Sequence, residues 1–216
     1  MRIQSSHCHA DRALDAYFSP AEAVISLLHI ESGHIPKCIW EPAAGDGAIV
    51  RPFESAGYTV VASDIADYGL AGCKTGVDYL GAAAEAGVEG IVTNPPYKLA
   101  IKFAEKAISE APYLALLLRT NFLESTARLP FFRRHQPARI WISSRRLPMM
   151  HRYGWDGPRA PSNTCFAWFI WDANSEQKCI LDWFDWKSFY RNDGENGETK
   201  KGRVRANTVR KMPALL

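Results

Sequence analysis

Apolar residues fall along this chain in two alternating rhythms. Short runs with β-type composition occupy residues 38–41, 59–63, 90–93, 113–119, 138–143 and 165–171. The third, fourth and sixth are near-continuous apolar strings, the pattern of strands covered on both faces. Between the runs, residues 21–31, 49–56 and 99–111 carry helix-type spacing. In the last of these, Ile101, Ala104 and Ile108 predict one face, with Lys102, Lys106 and Ser109 turned away from it. Strands alternating with helices predict an α/β chain: a doubly wound, mostly parallel, Rossmann-like sheet with an antiparallel last strand. In such sheets ligands bind beyond the carboxyl ends of the strands, so the residues just after each strand are where chemistry is expected.

The segment 144–164 is a long Pro/Gly-punctuated connection, and loops of that length in compact domains tend to be functional or mobile. Past it, the aromatic stretch Trp183, Phe184, Trp186, Phe189 and Tyr190 predicts a helix packed on the domain. No repeat or composition break divides the chain, which predicts one domain over residues 1–191. A polar linker and basic tail, expected to be mobile, follow over residues 192–216.

At 216 residues with 47% hydrophobic and 23% charged, the composition supports a packed core and excludes disorder of the whole chain. No apolar run approaches the roughly 18 residues of a membrane span. The polar start predicts that no secretory signal is present. Five scattered cysteines fit reduced thiols, hence a cytoplasmic protein, better than a disulfide framework or a zinc site. A net charge of +3 says little, but its distribution says more. Lys200, Lys201, Arg203, Arg205, Arg210 and Lys211 run on without an acid after Glu198. A second basic group covers Arg133, Arg134, Arg139, Arg145, Arg146, Arg152 and Arg159, with Trp155 in its loop. Either is a solvated surface or a track for phosphates.

The candidate chemistry sits at the strand ends. After the first strand, Glu41-Pro42-Ala43-Ala44-Gly45-Asp46-Gly47 forms a turn in which Gly45 and Gly47 let a ligand approach the main chain. A dinucleotide fingerprint would continue with a small residue three positions later; Val50 stands there and breaks it. Asp64 ends the second strand, where a carboxylate can accept bonds from both ribose hydroxyls. Asp78 follows a possible third strand and could take the amine of an adenine, with Tyr79 or Leu80 against the ring.

Directly after the apolar run at residues 90–93 comes Asn94-Pro95-Pro96-Tyr97. Two prolines remove two donors and hold the chain extended, leaving the Asn94 side-chain oxygen and the Pro95 carbonyl as acceptors beside an aromatic ring. That set suits a planar amine conjugated to a ring, with Tyr97 stacked on the ring face. Arg119, Thr120 and Asn121, after the next strand, face the same cleft or close the sheet end.

These motifs resemble the S-adenosylmethionine-dependent amino-methyltransferases of the Asn-Pro-Pro-Tyr type, above all those acting on adenine in DNA. Tyr17-Phe18-Ser19-Pro20 resembles the element of that family that contacts the methionine part of the cofactor, and Glu41 to Gly47 its glycine loop. The order of motifs is similar to the gamma arrangement, including small phage or prophage enzymes. The resemblance implies S-adenosyl-L-methionine as cofactor, held by Tyr17, Phe18, Pro20, Glu41, Ala43, Gly45, Gly47, Asp64, Asp78 and Tyr79. It implies catalysis by Asn94, Pro95, Pro96 and Tyr97 without a metal. DNA is the implied partner, met by Arg145, Arg146, Arg152, Trp155, Arg159, Lys200, Lys201 and Arg203; RNA adenine, a protein glutamine, or an inactive cofactor-binding role are the alternatives. The chain departs from the family in having Ala48-Ile49-Val50 where Phe often follows the glycine loop.

Overall fold

The computed structural model describes residues 19–148, 164–176 and 178–189. Among these, eight strands form one sheet in the order β3-β2-β1-β4-β5-β7-β6-β8. In chain order they are β1 (Cys38–Glu41), β2 (Thr59–Asp64), β3 (Lys74–Thr75), β4 (Gly90–Thr93), β5 (Tyr113–Arg119), β6 (Arg139–Ser143), β7 (Phe166–Asp172) and β8 (Ile180–Phe184). Strands β3, β2, β1, β4 and β5 are parallel. β7 pairs antiparallel with both β5 and β6, and β8 pairs parallel with β6. The sheet is thus the mostly parallel one expected, and its antiparallel strand is the last of the six read from the sequence.

Helices cover both faces. α1 (Ala21–Ile30) and α2 (Val50–Ser55) lie on one side, where Ala23, Val24, Leu27 and Phe53 pack with Ile39, Val92, Leu117 and Trp168. α3 (Ala100–Glu110) covers the other, bringing Phe103, Ala104 and Ala107 against Ile91, Leu114, Leu116 and Phe169. β4, β5 and β7 are buried along nearly their whole length, which is why they read as apolar strings. The buried side of α3 is offset from the face the sequence suggests. Ala100, Phe103, Ala104 and Ala107 are inside, whereas Ile101 and Ile108 are only half-buried.

Two elements differ from expectation. The stretch read as an aromatic helix is instead β8 followed by a 3-10 turn at Trp186–Ser188. Only Phe184 of β8 is buried, so its side chains carry no two-residue alternation. The short helix α4 (Leu129–Arg134) was not foreseen; it starts with a proline in its first turn, at Pro130, and six residues are too few to set a period. Tyr190 and the linker and tail of residues 192–216 lie outside the described residues.

The chain leaves β1 toward β2 and β3, then returns to β4 on the other side of β1. The order of strands reverses there, and a crevice opens at the carboxyl ends of β1 and β4. Glu41 stands at one lip and Asn94 at the other.

Candidate functional site

The crevice is a concavity of about 800 Å³ walled by the loops that follow β1, β2 and β4. Its floor is the turn after β1. Gly45 and Gly47 have φ of +53° and +85°, a left-handed geometry that L side chains adopt at a cost. A Cβ at Gly47 would also meet the Leu70 side chain at 2.5 Å. The turn is pinned to β2: the Ala44 N–H donates to the Ser63 carbonyl (3.0 Å) and the Gly45 N–H to Asp64 Oδ2 (2.8 Å).

Asp64 therefore has a role the sequence did not reveal. Its second oxygen accepts from the Ala66 N–H at 2.9 Å, so the carboxylate ties two loops together while lining the crevice. Each oxygen keeps a further lone pair for an incoming hydroxyl. Beyond it, Asp78 lines the same space, its Oδ1 accepting the Leu80 N–H at 3.0 Å. Tyr79 is 2% exposed, edge-on to Trp40 with centroids 5.1 Å apart and 4.6 Å from the Phe103 ring. With Ile49, Ile65 and Leu99, the Tyr79 and Phe103 rings give the crevice an apolar lining.

Glu41 is the unusual group. It is fully buried, and its Oε1 accepts the Ala43 N–H at 3.0 Å. Its Oε2 is buried too and completes no hydrogen bond among the described residues, although the neighbouring Thr93 hydroxyl eases its charge. Burial pushes the carboxyl up to about 8, far above its ordinary 4.5, because the charged form has lost water. A buried acceptor that completes no bond is costly, so a donor brought by a ligand is favoured there.

Asn94 and Pro96 line the crevice on the β4 side. Pro95 and Tyr97 do not border it; Tyr97 begins the 3-10 turn Tyr97–Leu99 and borders a second hollow instead. The Tyr97 ring lies under the Arg119 guanidinium, 4.7 Å from its centroid, with Phe166 tilted 6.2 Å away.

Of the residues anticipated for the cofactor, Glu41, Ala43, Gly45, Asp64, Asp78 and Tyr79 all converge on the crevice. Gly47 shapes the turn without lining it, and Pro20 caps the start of α1 while its neighbour Ser19 borders the crevice. Tyr17 and Phe18 lie outside the described residues, as do Arg152, Trp155, Arg159, Lys200, Lys201 and Arg203. Arg145 is paired with Asp185 at 2.6 Å and Arg146 donates to Cys165 Sγ at 3.0 Å. Phe103 and Ile65 went unnoticed in the sequence. Phe103 is signalled only once the buried face of α3 is set one residue away from the Ile101 stripe. Among the described residues, no helix is long and apolar enough to cross a membrane.

No protein-family model matches the chain, and no curated protein matches it by sequence. Solved methyltransferase structures do share its fold. The methyltransferase subunit of a type I restriction-modification system from Streptococcus thermophilus aligns with a TM-score of 0.56 at 11% identity, covering 80% of this chain and 49% of its own. A protein described as an RNA methyltransferase from Pyrococcus horikoshii has the same TM-score at 12% identity, covering 76% and 90%. A protein described as a class I S-adenosylmethionine-dependent methyltransferase from Listeria monocytogenes aligns at 0.52 and 15%, covering 77% of this chain and 65% of its own. The chain thus spans about half to two thirds of the length of the Streptococcus and Listeria proteins. At these identities the likeness is one of fold: the Rossmann-like methyltransferase sheet.

Proposed function

We propose that this chain is an S-adenosylmethionine-dependent methyltransferase acting on the exocyclic amine of adenine in DNA. The observation that carries the proposal is the convergence of Glu41, Gly45, Asp64 and Asn94 on one crevice at the reversal of strand order. The residues fit the cofactor. Asp64 offers two oxygens to a ribose, the apolar lining at Tyr79, Ile65 and Phe103 suits an adenine ring, and the buried Glu41 Oε2 suits an ammonium group. When bound, S-adenosylmethionine supplies a methyl group carried on a cationic sulfur.

The chain's own residues do the rest by orientation and charge. The Asn94 side-chain oxygen and the Pro95 carbonyl accept the two hydrogens of the amine, turning its lone pair toward the methyl group. The same acceptors stabilise the positive charge that the nitrogen gains. Pro95 and Pro96 lack N–H groups, so no competing donor stands in that corner. The departing proton leaves to water. A target base within a duplex must leave the stack to reach this corner. The face of Tyr97 under Arg119 is occupied, so a base stacking on that face takes the place of the guanidinium.

The test is transfer of labelled methyl from S-adenosylmethionine to unmethylated DNA, RNA and protein in parallel, followed by nucleoside analysis. Label in N6-methyladenine of DNA is expected, and Asn94→Ala is expected to lower turnover by about 100-fold or more with cofactor affinity nearly unchanged. Label confined to RNA or to glutamine amides would reassign the acceptor, and full turnover by Asn94→Ala would refute the role of that side chain.

A further inference from the structure

A second hollow, of about 720 Å³, opens on the other side of the Asn94–Tyr97 segment at the carboxyl end of β5. Its wall carries three cations, Lys98, Arg119 and Arg128, together with the Asn121 amide, and no carboxylate. Arg128 is the best defined of these. Its Nη2 donates to the carbonyls of Asn121 (2.9 Å) and Glu124 (2.8 Å), and its guanidinium lies 5.3 Å from the Phe122 ring centroid. Among the described residues no acid lies within ion-pair range of it. Its buried Nε has no hydrogen-bond partner there. Backbone carbonyls and an aromatic face thus hold this cation in place while leaving its charge uncompensated. The Arg119 guanidinium lies over the face of Tyr97. By contrast, the basic residues singled out beyond β6 are engaged elsewhere where they are described, Arg145 with Asp185 and Arg146 with Cys165.

We infer that this hollow is a phosphodiester site that grips the backbone of the nucleic-acid substrate next to the target nucleotide. The inference rests on the methyltransferase reading and adds to it the surface that positions the strand. The held guanidinium of Arg128 is suited to phosphate oxygens, whereas an acidic peptide would bring flexible carboxylates to the same charge. The placement also fits: Tyr97 borders this hollow and Asn94 the crevice, three residues and at most about 10 Å of chain apart. A nucleotide spans such a distance between its base and its phosphates. Contacts of this kind fix register and orientation without reading sequence.

The experiment is binding of a short single-stranded oligonucleotide across a salt series, by wild type and by Arg128→Gln, with S-adenosylhomocysteine affinity measured alongside. Arg128→Gln is expected to weaken binding roughly tenfold, equally for different sequences, and to reduce the slope of log affinity against log salt by about one. Arg128→Lys is expected to keep the slope. If Arg128→Gln loses S-adenosylhomocysteine binding and is therefore misfolded, the exposed Lys98→Gln replaces it, with the same fall in slope expected. Slopes unchanged in both variants overturn the inference. So does an Arg128-dependent response confined to inorganic phosphate at matched ionic strength, or to an acidic peptide. Methyl transfer to nucleic acid with unchanged slopes would overturn the phosphate site alone. A reduced slope without any methyl transfer would uphold the site and overturn the methyltransferase reading.

Discussion

Two carboxylates at opposite ends of the sheet are equally hidden from water and have opposite surroundings. Glu31, just after α1, is 0% exposed and accepts from Arg139 Nε (2.8 Å) and Nη2 (2.9 Å), Trp141 Nε1 (2.6 Å) and the Tyr113 hydroxyl (3.1 Å). Arg139 is in turn shared with Asp172 at 2.7 Å. The cluster joins the amino ends of β5 and β6 to the carboxyl end of β7, and its polar atoms are matched within the chain. Glu41, at the carboxyl end of β1, is also 0% exposed, yet it has one backbone donor, the Thr93 hydroxyl nearby, and an oxygen that completes no hydrogen bond among the described residues. A completed buried network specifies how strands pack; a buried acceptor left incomplete favours a donor brought by a ligand. The first end of the sheet serves the fold; the second, on the proposed function, serves a ligand.

Breaking the completed end has the largest expected effect. Arg139→Met leaves Glu31 buried with its main counter-charge gone, and denaturant unfolding is expected to show a loss of about 3–5 kcal/mol. At the other end, Glu41→Gln is expected to behave in the reverse sense, through pH. The Glu41 carboxyl is raised in the folded chain, so its contribution is fully present below about 4.5 and is lost as pH rises toward about 8. The glutamine variant has no such loss. From pH 5 to pH 9 the difference in stability is expected to move in its favour by on the order of 4 kcal/mol. If instead both proteins follow one pH curve, Glu41 is not the buried acid described here. A smaller effect is expected at the crevice floor, where Gly47→Ala sets a side chain at φ +85° against Leu70 and costs about 1–2 kcal/mol in thermal unfolding. Smallest is Tyr113→Phe, which removes one donor of several from Glu31 and is expected to cost about 1 kcal/mol. A much larger loss there would mean that the network depends on the tyrosine rather than on Arg139.

What could be read from the sequence divides along the same line. β4, β5 and β7 declared themselves because burial on both faces writes continuous apolar runs. The crevice was legible because its residues lie within a few positions of a strand end: the glycine turn, Asp64 and Asn94 are each local signals. The Glu31 cluster was not, since its partners are 82 to 110 residues away and no short motif links them. β8 was misread because its apolar residues face solvent, with Trp183 59% and Leu181 45% exposed. An exposed edge strand leaves no alternation to detect. The hollow beside Tyr97 was half legible. Arg119 and Asn121 follow a recognisable strand, whereas Arg128 belongs to a turn whose shape rests on bonds to backbone carbonyls.

The proposed ligand-binding role of Glu41 is tested most directly by calorimetric titration with S-adenosylhomocysteine at a series of pH values, on wild type and Glu41→Gln. One-to-one binding is expected for wild type, with affinity rising by about tenfold per pH unit up to about 8 and levelling above it, as the carboxyl ionises to meet the ligand's ammonium group. The variant should bind more weakly, with little dependence on pH over that range. Absence of binding by the wild type, or the same affinity and pH profile in both proteins, would contradict it.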